Sequence, residues 1–170
     1  ELGPSGICVN CIEPGVINTE MNAELDENTL LELKNETPVG KWMNGMSSYS
    51  LWWLLIQHDL YRSTGNIEYL SEQKEYLSKL LSILADCVDE DGIEHMPEDR
   101  FIDWPSRGND VAVHAGLQGL LKIALDRGAE LIEILGENKI ADKCTVASQR
   151  MSAHIPNCAG SKQAASLLIL

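Results

Sequence analysis

Residues 47–88, SSYSLWWLLIQHDLYRSTGNIEYLSEQKEYLSKLLSILADCV, decide how this chain folds. Leu51, Leu54, Leu55 and His58 recur at intervals of three and four, and so do Leu77, Leu80, Leu81 and Leu84, with Leu70 one period earlier. That spacing puts apolar side chains on one face of a helix. Ser47 or Ser48 is placed to cap the first helix, which runs to about Ser63, where Thr64-Gly65-Asn66 ends it. A second helix is expected from about Glu68 to Val88, and the two read as a helical hairpin.

Working toward the C-terminus, Asp89 to Asp110 is rich in Asp, Glu, Pro and Gly and reads as a long connection, a class of segment that commonly carries function. Helices resume over Val111 to about Leu135 and Lys139 to about Ala153, separated by Gly136-Glu137-Asn138. Ser161 opens a last helix that stops at Leu170, and its apolar run Leu167-Leu168-Ile169-Leu170 has no evident partner, which suggests truncation. Two successive helical hairpins are the expected architecture of this part.

Working toward the N-terminus the texture changes near residue 41. Gly6-Ile7-Cys8-Val9-Asn10-Cys11-Ile12 is a short β-favouring run closed by the turn pair Pro14-Gly15. Asn22 to Glu36 holds Leu25, Leu30 and Leu33 near helical spacing, and Pro38-Val39-Gly40 stops it. The expectation is an orphan strand, a turn and a short helix. The chain opens Glu1-Leu2-Gly3-Pro4 without an initiator Met, as a trimmed chain or a fragment would.

Net charge is -13, which repels phosphate backbones and anionic lipid, so neither nucleic acid nor a membrane is expected as a partner. The longest apolar stretch, Leu51 to Ile56, is far short of the roughly 20 residues of a membrane helix. Five cysteines, Cys8, Cys11, Cys87, Cys144 and Cys158, are odd in number and set among aliphatic residues, as reduced thiols in a cytoplasm would be. Cys8 and Cys11 form the one Cys-x-x-Cys, but no second pair completes a tetrahedral metal site, and the neighbours read as buried strand. His58, His95, His114 and His154 show no chelating spacing and read as structural or exposed.

Two resemblances meet near residue 41. Asn10-Cys11-Ile12-Glu13-Pro14-Gly15-Val16-Ile17-Asn18-Thr19-Glu20-Met21 resembles the end of the cofactor domain of short-chain dehydrogenases, in particular 3-oxoacyl-carrier-protein reductases. The resemblance implies that Pro14, Gly15, Ile17 and Thr19 are a vestigial nicotinamide-binding turn. The family's Tyr-x-x-x-Lys pair and glycine-rich phosphate loop would precede Glu1. One strand and a turn cannot hold a dinucleotide, so no cofactor is expected.

Residues 42–170 resemble part of the catalytic domain of bacterial α-L-rhamnosidases, six-hairpin glycosidases built as an (α/α)6 toroid. Three motifs carry this. They are Met43-Asn44-Gly45-Met46-Ser47-Ser48-Tyr49-Ser50-Leu51-Trp52-Trp53, then Arg100-Phe101-Ile102-Asp103-Trp104-Pro105, then Asn157 to Ala165 with Gly160-Ser161-Lys162-Gln163. The fold expectation is therefore mainly α, a partial toroid preceded by a strand-turn-helix fragment of a Rossmann-type domain, with domains over 1–41 and 42–170.

Sugars are held by an aromatic face against C–H groups and by carboxylates that accept hydroxyl hydrogen bonds. Asp103-Trp104 offers both, and the competing reading is that Trp104 plugs the toroid. Tyr49 and Trp53, with Trp52, sit at helical spacing where they can face the same lumen, although a core role is favoured for them. Inverting hydrolysis needs two carboxyls about 6.5 to 9.5 Å apart. The resemblance puts the catalytic acid before Trp42 and the base after Leu170, and Asp103 or Glu98 would be a base without a partner acid. No catalytic residue is assigned. The expectation is a catalytically incomplete glycosidase fragment binding a rhamnose-containing glycoside and self-associating through uncovered helix faces. The alternatives are a dehydrogenase fragment and a fused reading frame without function.

Overall fold

The computed structural model describes residues 46–97 and 100–169, and every structural statement below concerns those residues. They are mainly α. Six helices follow one another: α1 Ser47–Thr64, α2 Ile67–Glu72, α3 Lys74–Asp86, α4 Asp110–Ile134, α5 Asn138–Met151 and α6 Lys162–Ile169. Among the described residues the β content is one isolated antiparallel bridge, Val88 with Glu94. The orphan strand expected at Ile7 to Ile12, and the helix expected over Asn22 to Glu36, lie outside the described residues.

Local signals set most of the boundaries. Gly65, at φ 63°, ends α1 in the left-handed conformation and donates its N–H to the Tyr61 carbonyl, a geometry in which glycine has no Cβ to strain. The cap expected from Ser47 or Ser48 is different: Met46 occupies that position without a side-chain bond, and both serines lie buried within the first turn. Asn66 caps α2 and Asn109 caps α4, each side-chain oxygen accepting an N–H three residues on. At the end of α4, Gly136 donates to Glu133 and Glu137 donates to Ile132, the paired bonds of a Schellman stop. Ser161 Oγ accepts the Ala164 N–H at 3.1 Å and opens α6.

One expected helix is two. The segment read as continuous from Glu68 to Val88 breaks at Gln73, whose N–H bonds the Leu70 carbonyl three residues back, and the new ladder restarts with Leu77 N–H on the Gln73 carbonyl. Neither Gly nor Pro marks the break, so no local signal gives it away.

Packing corrects a second expectation. The long helix α4 packs against α1, α3, α5 and α6, and α3 also packs against α5. The main partner of α1 is thus α4, not the Glu68 to Val88 segment that follows α1 in sequence. Trp53 still reaches Tyr76 of α3, ring edge to face, with centroids 4.8 Å apart. The helix read as lacking a partner also has one: α6 lies on α4, with Ala164 and Leu167 buried, while Ile169 stays 85% exposed.

Glycines allow α4 its central place. A Cβ on Gly119 would sit 2.4 Å from the Leu167 carbonyl oxygen, one on Gly128 2.3 Å from a Leu81 methyl, and one on Gly116 2.5 Å from Ile102. Three elements therefore approach one helix more closely than alanine permits. Leu51, Leu54, Leu77, Leu81 and Leu84 of the neighbouring helices and Leu117, Leu120, Leu121, Leu125 and Leu131 of α4 itself are fully buried. At about 25 cal/mol per Å² of apolar surface removed from water, such side chains contribute roughly 2 kcal/mol each before entropy is counted.

Candidate functional site

The connection from α3 to α4, residues 87–109, and the connection from α5 to α6, residues 152–161, come together at the start of α4, where Ser106 lies beside Ser161 and Asn109 beside Ala159. Gln118 on α4 organises the first, donating to the Gly92 carbonyl at 2.7 Å and accepting the Glu94 N–H at 2.9 Å. Asp89 folds the turn by accepting N–H groups of Asp91 and Ile93 and pairing with His95 at 2.7 Å. Bonding to Ile93, then to His95, holds its carboxyl below the usual carboxylate range.

Asp103 and Trp104 lie in this connection. Asp103 Oδ1 accepts the Ser106 N–H at 2.8 Å, so this carboxylate shapes the turn that presents its neighbour. Trp104 is 70% exposed. Phe101 meets it edge to face at 5.4 Å, and the Arg107 guanidinium stacks over it at 5.0 Å. The ring is thus held on its own loop and exposed, outside the core of the described residues.

The residues just after the second sequence motif meet the third motif, 50 and 55 residues on in the chain. Ser106 Oγ lies 3.1 Å from Ser161 Oγ, and Asn109 donates to the Ala159 carbonyl at 3.4 Å. Ala159 is the one non-glycine with positive φ among the described residues, at 46°, followed by Gly160 at 78°. Asn157 Oδ1 accepts the Ala159 N–H at 2.7 Å and holds this turn.

The aromatic residues of the first motif behave differently. Trp53 is half-buried against the core with Tyr76, while Tyr49, one turn earlier on the same helix, is exposed. The structure therefore groups Trp53 with Tyr76 and Trp104 with Phe101 and Arg107. Pro14, Gly15, Ile17 and Thr19, like Glu98, lie outside the described residues.

Sequence reasoning missed the polar cluster beneath the Trp104 loop. The Glu94 side chain has 0% exposure. Arg100 pairs with both its oxygens, the Met96 N–H donates to Oε2 at 2.8 Å, and His114 Nδ1 lies 2.6 Å from Oε1. The other His114 nitrogen faces His154 Nε2 at 3.2 Å. A buried carboxylate needs such partners. The available signal was a Glu in an acidic loop, which local reading takes as solvated.

A groove of about 380 Å³ between α4 and α5 is lined by Asp126, Glu130, Glu133 and Asp142 with Asn138 and Thr145. Two of these carboxylates are occupied, Asp126 by Ser148 and Lys122, and Glu130 by His58. No described group of three His, Cys, Asp or Glu side chains is arranged to hold a metal ion. Nor is any described helix long and apolar enough to cross a membrane. Compared with protein-family models, curated proteins and solved structures, the chain matches none of them.

Proposed function

We propose that residues 42–170 are a carbohydrate-binding remnant of an α-L-rhamnosidase-like glycoside hydrolase, part of an (α/α)6 toroid, binding a rhamnose-containing glycoside at Trp104 without hydrolysing it. The observation that carries this reading is the Trp104 ring, largely exposed and braced by Phe101 and Arg107 on a loop tied to the residue 157–161 turn. A rigid, solvent-facing indole with polar groups around it suits the C–H face of a deoxy sugar, because stacking needs a flat apolar surface already in position.

Hydrolysis is not part of the proposal. Glu94 is sealed among its partners and Asp103 serves its own turn, so neither is presented as one half of an acid and base pair. We place the chain in the cytoplasm, a reading supported by the free thiols of Cys87, Cys144 and Cys158. Residues 1–41 remain a dehydrogenase-like fragment in this reading, without nicotinamide affinity.

Titration of the full chain with L-rhamnose and with an aryl rhamnoside, read by indole N–H resonances, tests the site. Saturable movement of the Trp104 resonance with millimolar affinity, lost in Trp104→Ala, is the expected result. No movement, or movement that persists in the variant, refutes the subsite. Turnover of the aryl rhamnoside that falls in Asp103→Asn refutes the incomplete-site argument.

A further inference from the structure

The imidazoles of His114, on α4, and His154, in the 152–161 connection, face each other beside two polar links that join that connection to residues 87–109. Their Nε2 atoms are 3.2 Å apart and their ring centroids 5.5 Å apart, the separation of two rings meeting nitrogen to nitrogen, head on. One proton therefore lies between them, carried by one nitrogen and accepted by the other. A metal ion shared by both would draw the ring centres closer, because the lone pairs would converge on one point, and among the described residues no third His, Cys, Asp or Glu joins them.

Glu94 fixes which nitrogen does what. Its Oε1 lies 2.6 Å from His114 Nδ1, and its carboxylate is itself pinned by Arg100 and the Met96 N–H. Nδ1 of His114 thus carries a proton, leaving Nε2 to accept from His154 when both rings are neutral. The charged and titratable groups around the pair are Glu94 and Arg100 from the 87–109 connection. Cys87, at the end of α3, lies within coulombic reach of Glu94.

We propose that His114 and His154 form a proton-operated clasp that fastens residues 152–161 to α4. The neutral pair is bonded. With one added proton it is still bonded: the proton enters at His154 Nδ1, the one between the rings passes to His114 Nε2, and the charge rests beside Glu94 with the donor direction reversed. A second proton makes both Nε2 atoms donors and sets two cations against each other, and the contact breaks. Releasing His154 loosens the segment that carries Ala159 and Ser161, and with it the two links to Asn109 and Ser106 that seat the Trp104 loop. The clasp is a feature of these residues whatever ligand Trp104 takes.

Hydrogen exchange on the full chain, corrected for intrinsic rates, reads the clasp at about pH 7.5 and about pH 5.5, either side of the range in which imidazoles titrate. Amides of residues 158–164 should lose about tenfold or more of their protection at the lower pH, while α3 amides do not change. His154→Gln places a non-titrating N–H donor at the same reach, and the pH response should vanish. Equal protection at both values in the unaltered chain, or the same loss in His154→Gln, overturns the proposal. Should that variant not fold by circular dichroism, imidazole nitrogen spectra of the unaltered chain decide: coupled two-step titration of His114 and His154 supports the clasp, and two independent steps overturn it. Micromolar zinc binding that His154→Gln abolishes would also overturn it, making the pair a metal site.

Discussion

The backbone of Leu167 lies directly over Gly119: a Cβ there would stand 2.4 Å from the Leu167 carbonyl oxygen and 2.9 Å from the Leu168 nitrogen. Helix α6 is held by this approach, so Gly119→Ala forces the whole helix outward, because backbone cannot rotate away as a side chain can. The expected cost is about 2 kcal/mol in urea unfolding of the full chain, even after alanine's helix propensity offsets about 1 kcal/mol. At Gly128 the obstacle is a Leu81 methyl, which can change rotamer, so Gly128→Ala should cost less than Gly119→Ala. Equal costs would mean that α6 is not packed as described.

Removing one partner of a buried ion pair is worse than removing both. Arg100→Met strands the fully buried Glu94 carboxylate and should cost about 3 kcal/mol, softened by His114 and the Met96 N–H that remain. Adding Glu94→Gln to Arg100→Met should recover part of that loss. A double-mutant cycle with no coupling between the two positions would contradict the pairing.

The Asp89 turn makes part of the stability acid-sensitive. Its carboxyl is held below the usual range in the folded chain, so its contribution is fully present above the unfolded value of about 3.9 and is lost as pH falls through the lower folded value. Asp89→Asn removes this dependence. The stability difference between the parent chain and Asp89→Asn should therefore be largest near neutrality and shrink below about pH 4, as followed by unfolding midpoints across pH.

Burial pushes the Cys144 thiol up to about 12, and its Sγ donates to the Leu81 carbonyl at 3.8 Å. The thiolate, the reactive form, is thus nearly absent at neutral pH. Mass mapping after brief labelling of the native chain with a thiol reagent should leave Cys144 unmodified, and denaturation should expose it. Rapid native labelling at Cys144 would show that α3 and α5 open readily.

Ala159 holds a left-handed conformation, at φ 46°, that costs an alanine about 1 kcal/mol. Ala159→Gly relieves it and should raise stability by about 0.5 kcal/mol once the greater freedom of unfolded glycine is deducted. A loss of stability there would mean that the alanine methyl packs usefully in the turn.

Much of the helical layout was legible locally. Gly65 and Gly136 stop helices where turn chemistry says they should, Ser161 starts one, and the Leu77 to Leu84 period identifies the buried face of α3. That Trp104 sits in a connection rich in Asp, Pro and Gly was legible too, while its exposure was not decided there. These readings succeed because capping, left-handed glycine and helical periodicity act within one or two turns of chain.

What lay beyond reach depends on contacts between distant residues. The break at Gln73 carries no Gly or Pro, and α1 lies along α4 instead of pairing with the helices that follow it, an outcome set by how several apolar faces share one partner. The meeting of Ser106 with Ser161 and of His114 with His154 spans 55 and 40 residues of chain. Glu94 is the clearest case: its type and its neighbours say solvent, and only the arrival of Arg100, His114 and Gln118 around it makes burial tolerable. Composition and spacing choose the helices; desolvation, which is a property of the assembled packing, chooses which polar side chains become a site.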